Sequence, residues 1–177
     1  MLRLNWGCGP NAASGWLNID RIAGPGVDST GDIRDGLQLR SESIDYAVAM
    51  HVIQDLPYLD LVPALVELRR ALKPGGVLRL GVPDLERAID AWRRGDSGYF
   101  YIPDDEVSTI GGKLIVQATW YGSVRTPFTW DFLCELSEKA RFTQVHRCQY
   151  RQTRSTWPDI VALDNRERES LYAEVVK

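Results

Sequence analysis

Apolar residues in the first half of the chain fall into short runs that turn residues separate. Ile44–Met50 is a nearly continuous apolar run, which is typical of a strand buried on both faces of a parallel sheet. Leucines recur at helical spacing over residues 59–72 and predict an amphipathic helix, which Pro74-Gly75-Gly76 is expected to end abruptly. The same criteria predict strands at residues 2–6, 16–20, 27–28 and 77–82, and a helix from Pro83-Asp84 to about residue 94.

The second half of the chain is less regular. Its apolar positions predict helices over residues 104–118 and 130–140, strands over residues 142–150 and 171–176, and loops over residues 120–127 and 151–166. Because strands and helices alternate up to residue 95, we expect a parallel sheet with right-handed crossovers. The length of 177 residues, without repeats or linkers, favours a single domain over residues 1–177.

Composition narrows the range of partners. The formal net charge is −3, whereas proteins that bind nucleic acids usually carry a basic face, so we expect no nucleic-acid partner. No apolar run approaches the roughly 20 residues of a membrane span, so we expect no membrane association. Cys8, Cys134 and Cys148 have no metal-ligand spacing and are odd in number, which predicts reduced thiols in a cytoplasmic protein without a metal site.

A glycine turn follows the first predicted strand and is the strongest chemical signal in the chain. Gly7 and Gly9 stand one residue apart, and glycine lets the main chain approach a ligand closely. Such a turn at the end of a parallel strand is where α/β proteins hold nucleotide-like cofactors. Asp20 closes the second predicted strand, where its carboxylate is placed to accept hydrogen bonds from ribose hydroxyls. The turn and the acid together predict a nucleotide-like ligand.

The spacing of this motif discriminates between classes of nucleotide. A dinucleotide site requires three glycines, a full helix after the first strand and an acid about 20 residues on. Here the third glycine is missing and the first crossover is too short for that helix, which disfavours an NAD-dependent oxidoreductase. No Gly-Lys-Ser/Thr sequence follows the turn, which excludes a P-loop.

Segments spread over nearly the whole chain match the motifs of one known family. They are residues 4–9, Asp20, residues 31–33, residues 43–56, residues 68–78 and residues 169–177. These segments resemble the class I S-adenosylmethionine-dependent methyltransferases, and in particular a compact bacterial branch of them. The resemblance implies an α/β fold with a doubly wound Rossmann-like sheet, mostly parallel with an antiparallel C-terminal strand.

The same resemblance implies S-adenosylmethionine as the cofactor and assigns residues to it. The glycine turn would meet the amino-acid end of the cofactor, Asp20 the ribose hydroxyls, and Asp32 and Ile33 the adenine. Asn5 stands where the family commonly has an acid, and Gln54-Asp55 where many relatives have Glu-His. The cofactor-binding residues implied in this way are Asn5, Gly7, Cys8, Gly9, Asp20, Asp32, Ile33, Met50 and His51.

Methyl transfer requires alignment of the acceptor atom and, for a hydroxyl or an ammonium, the loss of a proton. His51 follows the fourth strand at the mouth of the expected cleft and is our candidate base, although its ring alternatively packs over the cofactor or caps the next helix. Asp55 is a second candidate, as a base or an orienting group, and a helix N-cap is its alternative. The predicted substrate-binding residues are Tyr58, Trp120, Tyr121 and Arg125, for which packing within the fold is the alternative.

We therefore expect an enzyme that methylates a small-molecule or glycan-like acceptor, with a hydroxyl preferred to a nitrogen or a carbon. Residues 95–127, or a partner subunit in a homodimer, are expected to cover the substrate. The alternative is a weakly active or inactive protein of the same fold that acts as a binding module. An NAD-dependent oxidoreductase is the third hypothesis.

Overall fold

Seven strands form one sheet in the computed structural model, which describes residues 1–177. The strand order is β3-β2-β1-β4-β5-β7-β6, and β7 runs antiparallel to both of its neighbours. The predicted fold class, including an antiparallel C-terminal strand in a mostly parallel sheet, is thereby confirmed. The strands are β1 Arg3–Trp6, β2 Leu17–Asp20, β3 Ser29–Thr30, β4 Ile44–Met50, β5 Leu72–Pro83, β6 Gln144–Cys148 and β7 Ser170–Val176.

Four α-helices accompany the sheet, and all of them follow β4. They are α1 Tyr58–Ala71, α2 Leu85–Arg93, α3 Ile110–Thr119 and α4 Trp130–Lys139. The connections from β1 to β2 and from β2 to β3 contain no helix, as the short spacing between the predicted strands required. None of the four helices is long and apolar enough to cross a membrane.

The structure corrects three of the predicted boundaries. The helix α1 ends at Ala71, and Pro74-Gly75-Gly76 lies inside β5 rather than in a turn, because Leu72 already pairs with Ile44 of β4. The strand β3 is Ser29–Thr30 and begins directly after the predicted segment of residues 27–28. The helix α3 begins only at Ile110, where the Thr109 hydroxyl accepts a hydrogen bond from the amide of Gly112 and caps it.

One face of the sheet carries the main apolar core. Helices α1 and α4 lie against this face, and its cluster contains 26 buried residues. Leu78 and Leu80 of β5 belong to it, together with Leu65 of α1 and Leu136 of α4, and all four are fully buried. Burial of such aliphatic side chains is the main favourable contribution to folding on this face.

The opposite face is covered by residues 149–164, called here the strap, which contain one 3-10 turn and no α-helix. Arg79 of β5 is fully buried beneath the strap and forms a bidentate ion pair with Asp164, at 2.6 Å from Nε to Oδ1 and 2.5 Å from Nη2 to Oδ2. Its Nη1 lies 2.9 Å from Oε1 of Glu174 in β7. The guanidinium also donates to the carbonyl oxygens of residues 149 and 152. Charge-assisted hydrogen bonds thus attach the strap to the sheet.

Helices α2 and α3 pack on each other beyond the carboxyl end of β5, outside both of these cores. Ala88 and Ala91 of α2 form a small separate cluster with Tyr99 and Phe100. Asp84 begins this unit, because its carboxylate caps α2 by accepting from the amide of Arg87. The chain returns from α3 toward the end of β4 through residues 120–127.

Candidate functional site

A cleft of about 830 Å³ opens at the carboxyl ends of β1, β2 and β4. Its volume falls within the range of about 300–1,000 Å³ that is typical of small-molecule sites. The position is the one at which open α/β sheets bind ligands. Ten of the residues that the sequence predicts for the site line it, namely Gly7, Cys8, Gly9, Asp20, Asp32, Ile33, Met50, His51, Asp55 and Arg125.

The glycine turn forms one end of the cleft. Gly7 has a φ of +68°, and a Cβ there would lie 2.2 Å from Cγ2 of Val52, so only glycine fits. The amide of Gly7 donates to the carbonyl of Ile19 at 2.7 Å, which fastens the turn to β2. A Cβ at Gly9 would meet no protein atom within 4 Å. The main chain at Gly9 therefore faces open space that a ligand can occupy.

Asp20 links the turn to the end of β2. Its Oδ2 accepts from the amide of Gly9 at 2.8 Å, and its Oδ1 accepts from the amide of Ile22 at 2.9 Å. A carboxylate has about four acceptor sites, so each oxygen keeps one for a hydroxyl of a bound ribose. Asp20 thus has a structural role in the turn and remains available to a ligand.

The loop after β3 contributes a carboxylate that the protein already holds in place. Arg34 Nε lies 2.9 Å from Asp32 Oδ1, and its Nη2 lies 2.5 Å from Oδ2. This ion pair, with a hydrogen bond from the Arg34 amide, lowers the pKa of Asp32 to about 2. Asp32 is therefore ionised at neutral pH, and a purine amino group would share it with Arg34. Gly31 beside it would place a Cβ in open space.

Asn5 lies outside the cleft. Its side-chain amide donates to Oδ1 of Asn18 at 2.9 Å and to the carbonyl of Asn11 at 3.2 Å, and the residue is only 4% exposed. These bonds hold the helix-free connection between β1 and β2. The structure thus gives Asn5 a supporting contact behind the glycine turn in place of the predicted contact with the cofactor.

His51 lines the cleft with an uncommon backbone conformation and a defined hydrogen bond. Its φ is +51°, and its Nε2 lies 2.7 Å from Oγ of Ser170. Because the Ser170 hydroxyl donates to the carbonyl of Arg166 at 2.7 Å, it accepts from Nε2–H, which leaves Nδ1 unprotonated. Nδ1 is buried without a partner. Burial, followed by the charge of Arg166, lowers the pKa of His51 to about 3, so the ring is neutral.

Asp55 lines the cleft beside His51. It ends the 3-10 turn Ile53–Asp55 and does not cap α1, whose N-cap is Pro57. Its Oδ1 accepts from Nε2 of Gln54 at 3.2 Å. Desolvation by the surrounding protein raises the pKa of Asp55 above its usual range. Asp55 is thus a carboxylate at the cleft wall with only one protein partner.

The predicted substrate residues are not all brought together. Arg125 lines the cleft, because its amide and that of Thr126 both donate to the carbonyl of Gln54. Tyr58 is 54% exposed and stacks on Phe132 away from the cleft. Tyr121 is 60% exposed, and its hydroxyl donates to Glu106. Trp120 lines a second, smaller cavity instead.

This second cavity of about 110 Å³, called here the side pocket, shares four residues with the cleft: His51, Asp55, Ser123 and Arg166. Sequence reasoning missed Gln117, Arg166 and Glu169 in its wall, and also Arg21, Arg34 and Asn165 in the cleft. The segment around Arg166 carries no local motif, because its position depends on the strap and on the pairing of β7 with β5. Only the matching of residues 169–177 to a terminal strand indicated that this segment returns to the sheet.

The strand order and the cleft at the strand ends define the fold class: the chain has the Rossmann-like fold of the class I S-adenosylmethionine-dependent methyltransferases. A family model described as a methyltransferase domain matches residues 9–80. No curated protein matches the chain in sequence. The matched segment runs from the glycine turn into β5 and includes Asp20, Asp32, His51 and Asp55.

Solved structures share this fold over almost the whole chain. An S-adenosylmethionine-dependent methyltransferase from Thermotoga maritima, described as a possible histamine N-methyltransferase, is 20% identical with a TM-score of 0.62, over 99% of this chain and 82% of that one. One from Mesorhizobium loti is 15% identical with a TM-score of 0.58, over 99% and 90%. The 1,6-didemethyltoxoflavin-N1-methyltransferase of Burkholderia thailandensis, solved with its substrate and S-adenosylhomocysteine, is 12% identical with a TM-score of 0.56, over 99% and 70%. The resemblance inferred from the sequence is confirmed at the level of the fold.

Proposed function

We propose that this protein binds S-adenosylmethionine in the cleft and transfers its methyl group to a small-molecule acceptor. The observation that carries the proposal is the open space in front of Gly9 and Gly31, within a cleft of suitable volume at the strand ends. Asp20 and Asp32 stand beside these two glycines with acceptor sites still available. Solved methyltransferases of the same fold that contain the cofactor or its demethylated product also support it.

The residues around the reacting end have distinct proposed roles. When bound, the cofactor supplies the reactive methyl group. Asp55 accepts a proton from the acceptor group, since its raised pKa lies closer to neutrality than that of an ordinary carboxylate. His51, with its pKa lowered to about 3, is a weak base and instead orients the acceptor through a neutral ring. A nearby sulfonium would disfavour protonation of His51 further.

A binding module without activity is the alternative function. Its main support in the sequence is the departure of Asn5 and Gln54-Asp55 from the family pattern, but Asn5 lies behind the turn and does not line the cleft. The pair Gln54-Asp55 still places a carboxylate at the wall. The sequence-based preference for a hydroxyl acceptor, the cytoplasmic location and the homodimer remain proposals of the sequence alone.

Isothermal titration calorimetry tests the cofactor. We expect micromolar binding of S-adenosylmethionine and S-adenosylhomocysteine, and none of NAD. Binding of neither methyl-donor ligand would contradict the proposal, whereas binding of NAD alone would favour an oxidoreductase. Asp20→Ala should weaken S-adenosylhomocysteine binding, and Asp90→Ala, at an exposed position of α2 outside the cleft, is the matched acidic control.

Turnover separates the enzyme from the module. Release of S-adenosylhomocysteine is measured over a panel of hydroxyl and amino metabolites. We expect acceptor-dependent release with the unmodified protein and a loss of at least tenfold in kcat with Asp55→Asn. Cofactor binding without release on any acceptor would support the module.

A further inference from the structure

The side pocket lies next to the place where the methyl group would react. It opens between the end of β4 and the start of β7 and shares His51 and Asp55 with the cleft. Its volume of about 110 Å³ corresponds to about four water-sized groups. A small functional group of an acceptor therefore fits inside, while the rest of the acceptor stays in the larger cleft.

Strained backbone is concentrated around this pocket. Seven residues other than glycine have a positive φ in the whole chain. Three of them, His51 at +51°, Trp120 at +41° and Arg166 at +57°, line the side pocket. Such conformations are unfavourable for these residue types and are commonly found at functional sites. Their convergence distinguishes this pocket from an accidental void.

The wall of the side pocket contains side-chain oxygens that receive no hydrogen bond from the protein. The side chain of Glu169 is 9% exposed and accepts no hydrogen bond, and its nearest cation is Nη1 of Arg166 at 3.6 Å. Gln54 is 4% exposed, and its Nε2 donates to Asp55, so its Oε1 is the acceptor and is buried without a partner. A carboxylate without a hydrogen-bond donor is unfavourable, and a ligand with N–H groups would supply a donor to Glu169.

We propose that the side pocket binds the amino group of the acceptor, so that the methyl group is transferred to the nitrogen of a primary or secondary amine. This inference rests on the proposed methyltransferase function and replaces the preference for a hydroxyl acceptor that came from the sequence. Glu169 and Asp55 present carboxylate oxygens, and an amine supplies several N–H donors where a hydroxyl supplies one. Two carboxylates against the single cation Arg166 also favour a cationic group over an anionic one.

Methyl transfer to the amine requires no further reactant. One N–H proton of the bound ammonium passes to Asp55, which leaves a lone pair on nitrogen. That lone pair forms the N–CH3 bond, and the electron pair of the broken C–S bond stays on sulfur, giving S-adenosylhomocysteine. Since the remaining N–H groups are held by the acceptors of the wall, the lone pair is left free to face the methyl group.

Calorimetry on the protein saturated with S-adenosylhomocysteine tests the proposal with matched pairs of probes. The pairs are benzylamine with benzyl alcohol, and glucosamine with glucose. We expect at least one amine to bind at least tenfold more tightly than its alcohol partner. Glu169→Gln should reduce this preference at least fivefold with S-adenosylhomocysteine affinity unchanged, because Glu169 lies outside the cleft. Glu167→Gln, an exposed acid two residues away, should change neither quantity.

The outcomes separate this inference from the function on which it rests. Binding of S-adenosylhomocysteine without binding of any amine, or with equal or tighter binding of the alcohols, overturns the amine pocket and leaves the methyltransferase proposal standing. An amine preference that Glu169→Gln leaves intact also overturns it. Failure of S-adenosylhomocysteine itself to bind overturns both.

Discussion

The two faces of the sheet are held by different kinds of interaction. On one face, α1 and α4 bury leucines against β5 in a large cluster of apolar side chains. On the other face, the strap is attached through Arg79 and its two carboxylate partners, with a smaller cluster around Tyr46 and Ile160. Neighbouring residues of one strand thus serve both faces, because successive side chains of β5 point in opposite directions.

This difference matters for the site. Apolar contacts are non-directional, so the first face holds α1 and α4 against the sheet without fixing the positions of individual atoms. The ion pairs of the second face have defined geometry, and the strap ends at Asp164, directly before Asn165 and Arg166 in the cleft wall. The charged face therefore positions the late segment that completes the cleft and the side pocket.

Replacement of Arg79 should have the largest effect on the attachment of the strap to the second face. Arg79→Met leaves Asp164 and Glu174 buried without their cation, and we expect a loss of about 3–5 kcal/mol in the free energy of unfolding. Urea unfolding measures this loss. The triple variant Arg79→Met, Asp164→Asn, Glu174→Gln should recover part of it, since no unpaired charge remains buried. A loss below about 1 kcal/mol in the single variant would contradict the importance given to this cluster.

Leu80 follows Arg79 in β5 and points into the apolar core of the first face. Its truncation is the corresponding test of that face. Leu80→Ala creates a cavity in the main core, and we expect a loss of about 2–5 kcal/mol. At a temperature where both variants remain folded, Leu80→Ala should keep its affinity for S-adenosylhomocysteine, whereas Arg79→Met should lose affinity through the strap. Equal effects on affinity, measured by calorimetry, would mean that the two faces do not differ in their control of the site.

His51 lines both the cleft and the side pocket. The pH dependence of its protonation provides a further test of the site. Because its pKa is lowered to about 3, the unfolded chain binds a proton at this residue below pH 6.5 and the folded chain does not. The stability that the neutral ring contributes is therefore present above pH 6.5 and lost as the pH falls. Between pH 6.5 and 5 we expect a loss of about 2 kcal/mol from His51.

The matched variant for this titration is His51→Asn, since asparagine tolerates a positive φ. The difference in unfolding free energy between the two proteins should shrink as the pH falls from 6.5 to 5. Asp55 and Glu169, whose pKa values burial raises, titrate with the opposite sign and remain in both proteins. A difference that does not depend on pH would contradict a buried neutral His51.

Sequence patterns predicted the apolar face of the sheet better than the charged face beneath the strap. The continuous apolar run of β4 and the helical spacing of the leucines in α1 are direct consequences of burial. Both elements were located within one residue. The strap has no such period. Its contacts join Arg79 to Asp164, 85 residues away, and no local pattern records that pairing.

The candidate site divides in the same way. Gly7, Gly9, Asp20 and Asp32 lie next to the strand ends that position them, so the motif and its place in the fold are visible together. Glu169 reaches the side pocket only because β7 returns antiparallel beside β5. The orientation of the Asn5 side chain could not be predicted, because it depends on a hydrogen bond to Oδ1 of Asn18 across the helix-free connection between β1 and β2.

Gly31 offers a test of the cleft that leaves both faces of the sheet intact. Its φ is not in the left-handed region, and a Cβ would meet no protein atom, so Gly31→Ala should fold with unchanged stability. The added methyl group would enter the space assigned to the cofactor. We expect at least a tenfold loss of S-adenosylhomocysteine affinity, or about 1.4 kcal/mol, by calorimetry.

Gly24→Ala is the matched control, because its Cβ meets only Val27 at 3.8 Å and Gly24 lies outside the cleft. It should change neither stability nor affinity. If Gly31→Ala binds S-adenosylhomocysteine like the unmodified protein, the cofactor does not lie against the loop after β3. The assignment of Asp32 and Ile33 to the adenine would then fail, although the glycine turn and Asp20 would still hold the other end of the ligand. The comparison of Gly31→Ala with Asp20→Ala thus locates the nucleoside within the cleft, independently of the interactions that hold either face of the sheet.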